Sequence, residues 1–186
     1  MANKVQFGIK NLHYSIITEG TDGKYTYATP VAIPGAVSLS LDIAGDASPF
    51  YADNVLYYSS VANNGYTGSF ETAGLPDSFF EDVLGETEDT AKVMVEALNV
   101  EPKRIGLLFE IDGDAKASKY VFYNVQVKRP GLSTSTIAEA KEPNTMTVEF
   151  TAMGSTDPDH LGEVKARTKG DTTSTVDAGW FNAVYR

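Results

Sequence analysis

Four stretches of this chain alternate apolar and polar residues with a period of two, and that pattern constrains the fold more than any other feature. Over 36–43, Val37, Leu39, Leu41 and Ile43 alternate with Ser38, Ser40 and Asp42. Over 104–111, Ile105, Leu107, Phe109 and Ile111 share one parity. Over 119–128, Val121, Tyr123, Val125 and Val127 oppose Phe122, Asn124, Gln126 and Lys128. Over 145–152, Met146, Val148, Phe150 and Ala152 alternate with Thr147, Glu149 and Thr151. Successive side chains of a strand point to opposite faces, so this period predicts strands with one face on a core and the other wet. Antiparallel sheets are the kind that tolerate a solvated face. The expected architecture is therefore mainly β: an antiparallel β-sandwich with one short flanking α-helix, a long loop and terminal arms.

The remaining segments fit around that frame. Near the N-terminus, Val5/Phe7/Ile9 and Leu12/Tyr14/Ile16 follow different parities, which implies a bulge or bend between two short strands. Residues 66–72 return as a strand. Between them and 36–43, residues 44–64 form a long excursion, with Asn63-Asn64-Gly65 suited to a tight hairpin turn. Its aromatic residues Phe50, Tyr51, Tyr57 and Tyr58 either make an interface or fold back on the domain's own core. The helix is expected at 76–84. Pro76 suits a first turn, Asp77, Glu81 and Asp82 favour the positive helix end, and Phe79, Phe80, Val83 and Leu84 make one apolar face. Gly85 suits a left-handed cap. Residues 92–98 read either as a weak strand or as a helix, 112–114 as a turn, and 132–140 as a loop or short strand. Residues 170–175 are polar and expected to be flexible. Trp180, Phe181 and Tyr185 follow them, so the arm near 170–186 is expected to dock on a neighbour or on its own domain.

At 186 residues the chain is expected to be a single domain, 1–186, large enough to bury a core. It lacks an apolar run of the roughly 20 residues that a membrane helix requires. Met1 to Val5 do not open a secretory signal, so synthesis in the cytoplasm is expected. The absence of cysteine excludes disulfides, thiolate zinc sites and thiol nucleophiles. Fifteen basic residues against 25 acidic ones give a net charge of −10, which disfavours binding nucleic acid through phosphate neutralisation. This acidity serves either solubility or repulsion of polyanions.

No catalytic grammar is present. His13 and His160 are the only histidines; His13 sits in an apolar-patterned strand and is expected to be structural. Asp157-Pro158-Asp159-His160 offers metal-type ligands, but a Pro-centred surface turn is the expected role. Asp112-Gly113-Asp114 lacks the later ligands of a calcium loop. Glu139, Glu142, Glu149 and Asp159 are scattered acids. Lys128-Arg129-Pro130-Gly131 and Lys103-Arg104 read as solvated turns. The chain is therefore expected to be non-enzymatic, with no cofactor and no metal.

The order Tyr25-Thr26-Tyr27-Ala28, the strand from Gly35 to Asp42, Tyr51-Ala52-Asp53-Asn54, Gly65-Tyr66-Thr67-Gly68-Ser69-Phe70-Glu71 and the helix closing on Leu84-Gly85 resembles the major tail proteins of siphophages of Gram-positive hosts, the phi13-like and TP901-1-like tail tube subunits. Residues 157–176 do not follow that pattern. The resemblance implies a structural virion protein of the phage tail, made and assembled in the host cytoplasm. Its subunits would form stacked, hexameric rings whose sheets line a channel, with the long loop and arms bridging rings. The implied partners are other copies of itself, a tape-measure protein and tail terminator or tip proteins. DNA would pass through without specific binding, and no membrane is involved. Within this reading, the candidate lumen is Ser38, Ser40, Asp42, Thr147, Glu149 and Thr151, unless these faces are ordinary wet sheet. The candidate inter-subunit contacts are Phe50, Tyr51, Tyr57, Tyr58, Trp180, Phe181 and Tyr185. The alternative is a β-sandwich module for adhesion, receptor binding or capsid decoration.

Overall fold

The parity change near the N-terminus is a bulge inside one strand, β1 (Gln6–Glu19), not a break between two. In this computed structural model, which describes residues 5–45, 47–113, 115–134 and 143–186, Asn11 adopts a left-handed φ of 52° at that bulge. Leu12 and Tyr14 are thereby turned into the core, while Phe7 stays exposed. The chain continues through β2 (Tyr25–Tyr27), β3 (Val31–Ala32), β4 (Ala36–Ile43), β5 (Ala47–Ala52), β6 (Val55–Val61) and β7 (Tyr66–Thr72) to helix α1 (Asp77–Asp82). Then come β8 (Thr87–Glu88), β9 (Met94–Val95), β10 (Ile105–Gly113), β11 (Ser118–Val127), β12 (Met146–Met153), β13 (Lys165–Arg167) and helix α2 (Ser174–Gly179). The main sheet is antiparallel and nine-stranded, in the order β2-β1-β10-β11-β12-β7-β4, with β3 added to β1 and β13 to β11. It folds over so that β1 packs against β4, and Leu12, Tyr14, Phe70, Leu107, Phe109, Phe122, Val148 and Phe150 fill the space between.

Helix α1 closes the sandwich. Phe79 is fully buried and meets Tyr14 of β1 edge-on (ring centroids 5.2 Å apart) and Phe70 of β7 (6.5 Å). Val83 and Leu84 follow it into the core, whereas Phe80 is only half-buried. Gly85 ends the turn at φ 74°, and a Cβ there would lie 2.4 Å from Val100.

Several expectations need correction. Over 119–128 the alternation does not hold one face throughout. The register between β10 and β11 slips between Ile105 and Leu107, so Phe122, Val125 and Val127 reach the main core while Val121 and Tyr123 face the opposite side. Val37 and Ile43 do not join Leu39 and Leu41 in the core. Val37 sits in the bulge between Ala36 and Ser38, and Ile43 lies where the core runs out at the base of the hairpin; both are exposed. The hairpin turn is at Asp53-Asn54, both at positive φ, while Gly65 (φ 94°) marks the return into β7. Residues 92–98 contain β9, paired with β8, and no helix. Of residues 170–175, expected to be flexible, Ser174 and Thr175 open helix α2, while 170–173 form a turn and loop. Of 132–140 and the acids in that region, 135–140 and Glu142 lie outside the described residues, as does Asp114.

Lys103, Arg104 and Lys128 are exposed as expected, but Arg129 is not simply solvated. Arg129 donates to the carbonyls of Leu84 (3.3 Å) and Val100 (2.9 Å), tying the end of α1 to the β8–β9 segment, and it pairs with Glu96 at 2.6 Å. Arg104 donates to the Tyr25 hydroxyl at 2.9 Å.

Candidate functional site

The six polar residues proposed from two separate strands stand on one surface, joined by a strand between them. β7 pairs with β4 on one side and β12 on the other. The register sets Ser38, Glu71 and Thr147 in one row, Ser40, Ser69 and Glu149 in the next, and Asp42, Thr67 and Thr151 in the third. A shallow cleft of about 240 Å³ crosses the last two rows, bordered also by Lys128. Small hydroxyls line it, and the opposite faces of the same strands carry Leu39, Leu41, Phe70, Val148 and Phe150 into the core. Glu71 accepts from Thr145 (2.5 Å) and Ser38 (3.0 Å), bonds that hold its carboxyl below the usual range. Glu149 accepts from Lys128 at 2.8 Å, and this ammonium lowers its pKa. With Asp42, the surface carries three carboxylates against one ammonium. β4 is the end of the sheet path, so its outer edge has no partner strand among the described residues.

The excursion at 44–64 is a β-hairpin that prolongs the β4–β7 pair. Ala44 and Gly65 still bond across its base (2.9 Å). Beyond that point the hairpin has no third strand to lie on among the described residues. Phe50, Tyr51, Tyr57 and Tyr58 are 59%, 65%, 73% and 62% exposed, and Val55 and Leu56 are exposed as well. These apolar side chains are therefore left uncovered on both strands of the hairpin.

The C-terminal residues behave differently. Trp180 is 3% exposed and packs on Leu108, Val121 and Tyr123 of its own chain. Phe181 is half-buried and stacks on His13 at 4.7 Å. Tyr185 stacks on Trp180 (5.4 Å) and remains 46% exposed. In this structure the arm thus docks on its own domain.

Sequence reasoning missed the group that anchors this arm. Asp157, read as part of a surface turn, is 1% exposed. Its carboxylate accepts from the backbone N–H of Tyr25 (3.0 Å), the N–H of Asp159 (3.0 Å) and the Arg186 guanidinium (2.5 Å). Arg186 also donates to the Tyr25 carbonyl at 2.8 Å and lies 4.7 Å from the Tyr27 ring centroid. The only local signal was the Ser155-x-Asp157-x-Asp159 spacing, which supports side-chain-to-backbone turns (Asp157 N–H to Ser155 Oγ, 3.2 Å).

The bond from the Tyr25 N–H, helped by Asp159 and Arg186, holds the Asp157 carboxyl at about 2 against the opposing effect of burial. A carboxylate depressed in the folded state stabilises it above the unfolded value near 3.8, and that contribution disappears as pH falls through about 2. Thermal unfolding followed from pH 5 to pH 2 is expected to show this loss below pH 4. Asp157→Asn should flatten that part of the profile; an unchanged profile would mean that Asp157 does not cause it.

Among the described residues, no group of three or more His, Asp or Glu side chains is placed to hold a metal ion, and no helix is long and apolar enough to cross a membrane. No family model matches the chain, and no curated protein matches it. Solved structures similar to it over most of its length include the following three. The tube-terminating cap of the anti-feeding prophage shares 11% identity, with a TM-score of 0.44 over 89% of this chain and 94% of that one. The sheath/tube terminator of an extracellular contractile injection system, PVC, in its extended state, shares 10% identity, with a TM-score of 0.46 over 89% and 98%. A chain of the anti-feeding prophage baseplate shares 9%, with a TM-score of 0.48 over 92% and 100%.

Proposed function

We propose that this chain is a non-enzymatic structural subunit of a phage tail tube, which self-assembles into stacked rings around a channel for DNA. The observation that carries this reading is the β5–β6 hairpin. It extends past the sheet with six large apolar side chains exposed, and a second copy is the natural cover for a surface that every copy also presents. The free edge of β4 supports lateral pairing, because an unpaired edge is a liability that ring closure removes. The hydroxyl-rich, acidic surface of β4, β7 and β12 supports the channel role. Short side chains leave room for a duplex, and carboxylates repel phosphate without holding it.

The charge of that surface provides the test. Asp42→Lys with Glu149→Lys reverses two of its three carboxylates. Each phosphate that a cationic wall neutralises steepens the salt dependence of duplex binding by about 0.9 in log–log slope. In assembled phage the double variant is expected to form tubes and to eject DNA slowly at low salt, recovering as salt screens the lysines. Normal ejection at low salt, with the lysines verified in the tubes, would take these positions out of the channel.

A further inference from the structure

We propose that the segment from Glu86 to Glu101 is a docking surface for a cationic polypeptide partner, an extended basic segment that also carries aliphatic side chains. Its β8–β9 ribbon has no third strand among the described residues, so both outer edges are open to an added strand. Thr87 stands opposite Val95 and Glu88 opposite Met94, and the Asp89 N–H donates to the Val93 carbonyl (3.0 Å) to close the turn. Val93, Val95 and Leu98 are 55%, 47% and 103% exposed, and neither core cluster among the described residues includes them. A lone exposed aliphatic side chain is ordinary; three on one short segment make a patch.

The patch is held in place by polar contacts. Arg129 pairs with Glu96 (2.6 Å) and donates to the carbonyls of Ala97 (3.4 Å) and Val100 (2.9 Å), while the Lys103 N–H donates to the Val83 carbonyl (2.8 Å). A surface fixed in this way loses little conformational freedom when a partner binds.

Charge selects the partner. Residues 77–101 carry eight carboxylates and one ammonium, so −7 of the whole chain's −10 lies in this stretch. Lys92 answers Glu88 at 2.7 Å, and Arg129 answers Glu96. Asp77, Glu81, Asp82, Glu86, Asp89 and Glu101 have no ion pair among the described residues. Solubility accounts for these carboxylates but not for the aliphatic side chains set among them. The same field repels nucleic acid and an anionic membrane, and it repels the identical patch of a second copy. A polypeptide that brings lysine or arginine to the carboxylates and aliphatic side chains to Val93, Val95 and Leu98 satisfies both parts. The charges steer the encounter, and the apolar contact adds affinity. This inference stands apart from the tube reading, since it uses no residue of the β4–β7–β12 surface or of the β5–β6 hairpin.

Short peptides alternating lysine with valine, lysine with serine and glutamate with valine are the probes, titrated at low salt into isotope-labelled protein and followed by amide chemical shifts. The lysine–valine peptide is expected to bind, to shift the amides of residues 86–101 first, and to weaken as salt rises. The lysine–serine peptide is expected to bind several-fold more weakly, and the glutamate–valine peptide not at all. Val93→Ser with Leu98→Ser should bring the affinity for lysine–valine down to that for lysine–serine and leave thermal unfolding unchanged, because both side chains are exposed. Glu86→Gln with Glu101→Gln should weaken both lysine peptides and flatten the salt dependence. Equal binding of the two lysine peptides, or shifts centred on the β4–β7–β12 carboxylates, would overturn the docking surface and leave only diffuse charge attraction. Loss of self-association of the purified chain in the serine variant, with peptide binding unchanged, would overturn the separate partner in favour of a second copy.

Discussion

Phe79→Ala is expected to lower the unfolding free energy by about 3–5 kcal/mol, the usual range for deleting a buried aromatic ring. The mechanism is specific to this ring. Phe79 is the side chain by which α1 touches both β1, through Tyr14, and β7, through Phe70. Alanine leaves a void between strands on opposite sides of the sandwich, and neither can move in to fill it without breaking its own sheet pairing. A loss of that size rivals the whole stability of many domains, so soluble yield should fall as well. Phe80→Ala is the control, because Phe80 is only half-buried, and it should cost markedly less. Urea unfolding of both variants checks the ordering; equal midpoints would mean that α1 does not close the core.

Replacing Phe50, Tyr51, Tyr57 and Tyr58 together with serine is expected to have the opposite profile. None of the four is buried, so thermal unfolding of the domain should stay close to wild type. Association should collapse. A buried aromatic anchor contributes about 2 kcal/mol or more to an interface, and every 1.4 kcal/mol is about tenfold in affinity. A ring stack repeats the contact many times, so the per-subunit loss is multiplied along the assembly. Size-exclusion chromatography across a concentration series checks this outcome, and assembly equal to wild type would show that the hairpin is not an interface.

Most of the strands could be read from the sequence because period-two alternation is a local property. β4, β10 and β12 fall where the alternation puts them, β7 falls on the expected return strand, and α1 falls between Pro76 and Gly85. The errors arose where local pattern and tertiary setting part. A bulge in β11 reverses parity halfway along and leaves no mark in the residue types. Ile43 fits the apolar side of β4 but lies past the end of the core. The polar surface was half legible. Ser38, Ser40, Asp42, Thr147, Glu149 and Thr151 were identified on two strands, but the polar face of the strand between them, 66–72, was not assigned to that surface. Thr67, Ser69 and Glu71 alternate in the same way and could have been added. The Asp157 turn left a local signal in its Ser155-x-Asp157-x-Asp159 spacing, but its role as an anchor did not. Its partners Tyr25 and Arg186 lie 132 and 29 residues away, and no short-range pattern announces a contact between a loop, a strand and an arm. Trp180 was recognised as a docking residue, but which surface it docks on is set by the face that β10 and β11 leave uncovered.

Electron microscopy of the purified protein, imaged over a range of concentrations, tests self-assembly most directly. Rings or tubes with a central channel are expected, in which the β4–β7–β12 surface faces inward and the β5–β6 hairpins lie between subunits. Discrete globules at every concentration, especially ones that bind a glycan or a capsid surface, would contradict self-assembly and favour an adhesion or decoration module.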